Sequence, residues 1–344
     1  MTLSKFWLAV TCVAAAQTAH GVNPVDLNVL LEESAGISTD DLRSLGDGFI
    51  VKQLDLKDPS TGLAMVGVVK LEADLDSLHA AMSRASSLIG PSTEVSIKAL
   101  NVIAEPARDD EFAAYELTQV EKEALESCEL GDCRMKLTED LINTLRSLDY
   151  QWEDDAQAFT DAYRKSLTDL ARGYQRVGNE ALWVYRDKPE PLHALDGFKA
   201  ALDAFDESFT LFPNVIAHLL DYPATEIEGD VEEFLFWSVL DFGRRPTLTV
   251  NHIVSIRPRD PDFDYVMVIK NIYANHYFGG RVTAGAFLTE GALNAPGAYL
   301  VLVDQLQFDG KLNRFLRAIV NRGIVSDMEN RLRFIRDLVG TGPS

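Results

Sequence analysis

Cysteine is almost missing from this chain: three in 344 residues, at positions 12, 128 and 133. A cysteine nucleophile is excluded once Cys128 and Cys133 pair, and the region around them offers no further ligands for a metal. Nucleotide-binding loops are absent too. Neither Gly-x-x-x-x-Gly-Lys-Ser/Thr nor Gly-x-Gly-x-x-Gly occurs, and there is no Gly-x-Ser-x-Gly elbow. Basic residues are scarce, 32 Lys and Arg against 53 Asp and Glu, for a net charge of −21. The deficit is uneven: residues 241–344 hold 13 basic against 10 acidic residues, and the rest hold 19 against 43. Like charge repels phosphate, so the first two-thirds is no nucleic-acid surface. Its acid excess reads as solvated surface that aids solubility. After the N-terminus no stretch approaches eighteen uninterrupted apolar residues, so no later membrane span is expected.

What is present first is an export signature. Lys5 precedes the apolar run Phe6 to Ala16, and both Ala14-Ala15-Ala16 and Ala19-His20-Gly21 satisfy the small-x-small cleavage rule. Residues 1–21 are therefore expected to be a signal peptide, and the mature protein periplasmic or extracellular. Removing it takes Cys12 and leaves Cys128-Glu129-Leu130-Gly131-Asp132-Cys133. Gly-Asp inside the gap is turn chemistry that can bring two sulfurs together, and an oxidising compartment favours a structural disulfide. A redox-active pair is the alternative, though the spacing is not Cys-x-x-Cys.

In the first third, residues 22–108, Ser38-Thr39-Asp40-Asp41 is a helix start. Phe49 to Leu56 and Leu63 to Leu71 read as strands joined by the turn Lys57 to Gly62, hence a hairpin. Asp74 to Leu88 has helical spacing and Glu94 to Ile103 alternates as a strand. The middle, residues 109–229, carries helical stripes. One runs through Leu141, Leu145, Leu148 and Trp152, the next through Phe159, Tyr163, Leu167 and Leu170, and a third through Leu195, Phe198 and Leu202. Val215 to Tyr222 is one more short helix. Glu153-Asp154-Asp155 reads as an exposed helix face.

From Asp230 the period changes from 3.6 to 2. Val231 to Leu240, Thr247 to Ile256, Tyr265 to Ala274, His276 to Leu288 and Ala298 to Phe308 are five strand candidates, with Pro- and Gly-containing turns between them. Phe278-Gly279-Gly280 is a turn or a bulge. Short connections make the strands antiparallel neighbours. Lys311 to Val339 is one long amphipathic helix.

Strand, short helix, antiparallel meander and long final helix resemble the helix-grip fold of the START-like (Bet v 1-like, polyketide cyclase/dehydrase) superfamily. The segment Ala298 to Gln305, leading to Leu312 and Phe315 to Val320, is similar to that fold's last strand and helix. The chain also resembles uncharacterised exported bacterial proteins with a Cys–Gly-Asp-Cys element. The resemblance implies an α+β fold: a curved antiparallel sheet gripping the long C-terminal helix, formed by residues 22–108 and 230–339, with residues 109–229 as a large helical insertion. It implies a cavity for a hydrophobic or amphipathic small molecule such as a lipid, sterol, terpenoid or polyketide, and carries over no functional residue.

The residues themselves nominate cavity-wall candidates. His252 shares a strand face with Val250 and Val254, and His276 would share one with Ala274 and Phe278. Asp304 falls between Leu302 and Leu306, where an unpaired carboxylate is costly; Lys270, Asn275 or Arg281 could satisfy it. Trp237, Tyr273, Tyr277 and Phe287 complete the candidate ligand-binding set. No catalytic residue, metal ligand or cofactor is assigned, since neither histidine has metal-ligand spacing. The first expectation is an exported carrier of a hydrophobic ligand. The alternatives are an enzyme using His276, His252 or Asp304 for acid-base chemistry, and a secreted protein-protein interaction module. Lys311, Arg314, Arg317, Arg322, Arg331, Arg333 and Arg336 give the last helix a basic face, to pair with the acidic middle or to touch a membrane surface. Thiol titration of the unreduced mature protein is expected to find no free cysteine; two reactive thiols would refute the Cys128–Cys133 bridge.

Overall fold

A computed structural model describes residues 27–71, 101–148, 156–204, 212–227, 229–241, 245–257, 263–288, 292–311 and 314–340. Expected features at 1–21, 72–100 and 153–155 lie outside the described residues. The centre is an eight-stranded, wholly antiparallel sheet. Its strands are β1 (Phe49–Leu54), β2 (Gly62–Leu71), β3 (Asn101–Val102), β6 (Asp230–Asp241), β7 (Pro246–Arg257), β8 (Phe263–Ala274), β9 (Phe278–Leu288) and β10 (Ala298–Phe308). The order is β1-β2-β10-β9-β8-β7-β6-β3, so the β1–β2 hairpin joins the C-terminal meander through β2 and β10. A separate two-stranded ribbon pairs β4 (Val184–Tyr185) with β5 (Leu192–His193). The fold class is α+β, with the five long strands where period-2 spacing predicts them.

Helices cover both faces of the sheet. On the first face, α5 (Ala194–Asp203), α6 (Pro213–Asp221) and the N-terminal turns around Leu27–Ser34 and α1 (Thr39–Arg43) bury Val66, Val68, Val254, Val268, Ala284 and Val301. Further along the same face, α2 (Gln119–Glu126), α3 (Glu139–Ser147) and α4 (Ala156–Val177) share a core with Leu235, Trp237, Val250 and Tyr273. On the second face lies the long helix α7 (Arg314–Gly340), whose Ile324, Met328, Leu332 and Ile335 pack with Met65, Met267, Phe287 and Leu302. Because both faces are covered, the strands are nearly continuously buried.

The helix starts are written locally. Ser38 caps α1 and Thr118 caps α2, each with a reciprocal bond from the acidic residue three positions on, Asp41 and Glu121. Thr138 caps α3. α5 meets β9 with almost no side chain between them: a Cβ added to Gly197 would stand 1.9 Å from the Gly279 carbonyl oxygen. One on Gly280 would stand 2.1 Å from the oxygen of Gly197. The ladder is irregular here, with Phe308 opposite Phe278 and Gln307 opposite Gly280, which makes Phe278-Gly279-Gly280 a bulge inside the strand.

Two expectations need correction. His276 is on no strand, because β8 ends at Ala274 and β9 begins at Phe278. Tyr277 takes a left-handed φ of 66° and turns the chain between them. Arg331, expected on the basic face of α7, is also not turned to the acidic middle of the chain. Arg331 turns inward and, with Arg281, brackets Asp304 and Asp327. Arg281 grips Asp304 with Nε at 2.9 Å and Nη2 at 2.6 Å, and Thr283 adds a hydroxyl bond at 2.9 Å. Burial alone would raise the Asp304 pKa, but the two guanidinium groups outweigh it and hold it at about 2.

Breaking such a buried network leaves a charge unpaired, so Asp304→Asn is expected to cost ~3–5 kcal/mol in urea denaturation. The folded pKa lies below the unfolded value of ~3.9, so the contribution of Asp304 is full above about pH 4. It should fade between about pH 4 and 2, and a wild-type acid transition unchanged by the substitution would contradict this.

Candidate functional site

Ionisable side chains gather on the first face, where His218 of α6 meets residues of β6 and β7. Glu233 on β6 stands opposite Val254, and His252 on β7 stands opposite Leu235, so the two are diagonal neighbours on one face. His218, on α6, reaches the same point from above. His218 Nε2 is 2.9 Å, and His252 Nε2 3.5 Å, from Glu233 Oε2. One ligand-capable atom from each residue lies within 4.8 Å of the others.

Both rings are oriented from behind. The Nδ1 of His218 bonds the Thr225 carbonyl, and the Nδ1 of His252 lies 3.0 Å from the Tyr174 hydroxyl. With Nδ1 engaged behind each ring, both Nε2 atoms face the Glu233 carboxylate, which accepts hydrogen bonds from them. That is the way metal-binding histidines are held: an outer partner fixes tautomer and ring angle. Tyr222 stacks on Tyr174 at 5.0 Å and meets the His252 ring edge-on at 4.6 Å. His252 is 1% exposed and Glu233 36%, so the cluster reaches solvent on its carboxylate side.

The electrostatics separate the three groups. Hydrogen bonds from His218 and His252 draw the Glu233 pKa down to about 2. For His218, burial opposes the charged form, but Glu233 and the Thr225 carbonyl outweigh it and raise the pKa. For deeply buried His252 desolvation wins and the pKa falls. The surroundings therefore favour a charged Glu233 and a protonated His218, and disfavour the protonated form of His252.

No protein-family model matches the chain, and no curated protein matches it in sequence.

Of the seven candidates read from the sequence, only His252 belongs to this cluster. Trp237 and Tyr273 are on the same face but deeper. Trp237 donates to the Glu111 carbonyl at 3.0 Å and stacks on Phe112; Tyr273 bonds the Tyr163 hydroxyl and the Lys136 carbonyl. Phe287 and Asp304 are on the opposite face, so the seven do not share a cavity wall. A cavity of about 30 Å³ on that second face has room for little more than water, and Asn251, Asn271, Arg281 and Arg331 make it polar. His276 and Tyr277 occupy the β8–β9 connection. Cys128 and Cys133 stand with their sulfurs 2.10 Å apart, at bonding distance.

Glu233 and His218 were not among those candidates. Glu233 alternates with Leu235 and Trp237 on a face that is otherwise apolar. That is the one sequence signal for it; His218 has none beyond its place in a short helix.

His276 sits in a second buried network. Its Nδ1 bonds the Arg134 carbonyl at 3.0 Å, while Nε2 has no hydrogen-bond partner and stands 3.9 Å from Glu121 Oε1. That carboxylate is taken by Tyr115, Asn275 and the α2 cap. Burial, then the charges of Lys136 and Arg245, push the His276 pKa down to about 4. Since unfolded histidine titrates near ~6.5, the unfolded chain takes up this proton first. The stability linked to neutral His276 is full above about pH 6.5 and declines towards pH 4. An NMR titration should find its ring neutral to about pH 4; a midpoint near 6.5 would contradict its burial.

Proposed function

We propose that this is an exported protein that binds a divalent transition-metal ion through His218, Glu233 and His252. The observation that carries the reading is the convergence of two imidazole Nε2 atoms and one carboxylate oxygen, with both Nδ1 atoms already engaged. Two imidazoles and a carboxylate suit borderline divalent ions such as zinc, cobalt or ferrous iron rather than calcium or magnesium, which prefer oxygen alone. An ion would take the place of the hydrogen bonds that join both Nε2 atoms to Glu233. Three protein ligands leave a position for water or an exogenous ligand, as in sites that exchange ligands or activate water. The exposed edge of Glu233 is the route by which an ion reaches the otherwise buried rings.

Export is supported by Lys5 with the apolar run after it and by the Cys128–Cys133 pair, which suits an oxidising compartment. Among the described residues no helix is long and apolar enough to cross a membrane.

The carrier reading draws on element order: a meander followed by a long helix against the sheet. A lipid-sized ligand between sheet and α7 would have to open the packing of Met65, Met267, Met328 and Leu332. A Cβ on Gly67 would already touch Met328 and Leu332 at under 3 Å. The metal reading needs no such rearrangement.

The metal-stripped mature protein is expected to bind one zinc or cobalt ion, measured by competition with a chromophoric chelator. His218→Ala, Glu233→Ala and His252→Ala should each weaken it by more than the ~10–100-fold typical of outer-shell changes. Zinc at a hundred times its Kd should stabilise the fold by ~2.7 kcal/mol. Equal affinity in wild type and all three variants would sink the proposal.

A further inference from the structure

The helix that brings His218 to the cluster ends in an unusual way. The last turn of a helix leaves carbonyl groups without intrahelical partners. In α6 the carbonyls of Leu219 and Leu220 are met by the side-chain amide of Asn179, at 3.1 and 2.7 Å. The Leu219 carbonyl also accepts from the ammonium of Lys270 at 2.8 Å. Lys270 in turn bonds Asn179 Oδ1 and lies over the rings of Phe198 and Tyr174 at 5.0 and 5.5 Å. The backbone N–H of Asn179 then donates to the carbonyl of Tyr222, the residue that walls the cluster. Gly178 makes this approach possible: its φ is +61°, and a Cβ there would stand 2.0 Å from the Tyr222 oxygen.

Burying a lysine completely, with no carboxylate partner among the described residues, is costly and calls for a reason. Lys270 is the cross-strand neighbour of His252 on β8. It therefore ties the strand system that holds His252 to the end of the helix that holds His218. We infer that Asn179 and Lys270 are positioning residues: they clamp the end of α6 so that His218 meets Glu233 and His252 at ligand distance. The clamp touches no ion. It fixes the carbonyl end of α6 and, through Tyr222, the start of the segment that carries the Thr225 carbonyl to His218.

This inference rests on the metal reading, and the experiment separates the two. Asn179→Ala and Lys270→Met are compared with wild type, with His218→Ala, and with Val301→Ala, a core truncation remote from the cluster. The readouts are zinc affinity by chelator competition, the visible spectrum of the cobalt-loaded protein, and the melting temperature. Both clamp variants are expected to lose at least about tenfold in zinc affinity and to show a changed cobalt spectrum. Val301→Ala should lower the melting temperature while keeping wild-type affinity and spectrum. Asn179→Asp should behave like Asn179→Ala, because it still accepts from Lys270 but cannot donate to Leu219 and Leu220.

Folded clamp variants with wild-type affinity and spectrum would overturn the positioning role while leaving the metal site intact. So would a melting-temperature loss with no change in affinity. If Lys270→Met does not fold, the two Asn179 variants carry the test, since they keep the ammonium bonded to Leu219. Should wild type and His218→Ala bind zinc equally, the underlying metal reading fails first.

Discussion

Coverage of the central sheet on both faces is the constraint on which the rest of the molecule depends. An antiparallel sheet commonly keeps one face in water, and its strands then alternate. Here helices lie on both faces, so a buried polar side chain on a strand is costly unless it finds a partner inside; Gln305, with neither side-chain polar atom bonded, is an exception. Asp304 finds two arginines and a threonine, and Lys270 finds an amide and a carbonyl. Glu233 and His252 find each other and His218. The polar clusters are the places where this two-sided burial is reconciled with residues that resist it.

That reconciliation takes different forms on the two faces. On the α7 side the charges form a closed group, two guanidinium and two carboxylate groups, whose attraction is spent internally. On the other side one carboxylate faces two imidazoles, and its edge reaches solvent. The first arrangement joins helix to sheet. The second gathers two imidazole nitrogens and a carboxylate oxygen at one point that reaches solvent.

Much of the architecture could be read before any coordinates. The long strands after Asp230 have period-2 spacing and Pro- or Gly-containing breaks, and they occur within two residues of the expected limits. The Ser38 helix start is legible from local chemistry, and Arg281 is one of the three residues, with Lys270 and Asn275, that the sequence offers to Asp304. The site was not legible. Its three side chains are separated by 15 and 19 positions and come from one helix and two strands, so no spacing rule joins them. His252 could be placed on an inward face, but its partners depend on where α6 lands. His276 was misassigned to a strand because a left-handed Tyr277, which alternation cannot reveal, turns the chain there.

The contact of Gly197 with Gly279 and Gly280 acquires a mechanical meaning in this setting. Backbone rests on backbone there, so no compressible layer of side chains separates α5 from β9. The next residue of α5, Phe198, lies over the ammonium of Lys270. The seam thus places the bulged start of β9 one residue of α5 away from a side chain that touches Lys270, itself opposite His252 on the neighbouring strand.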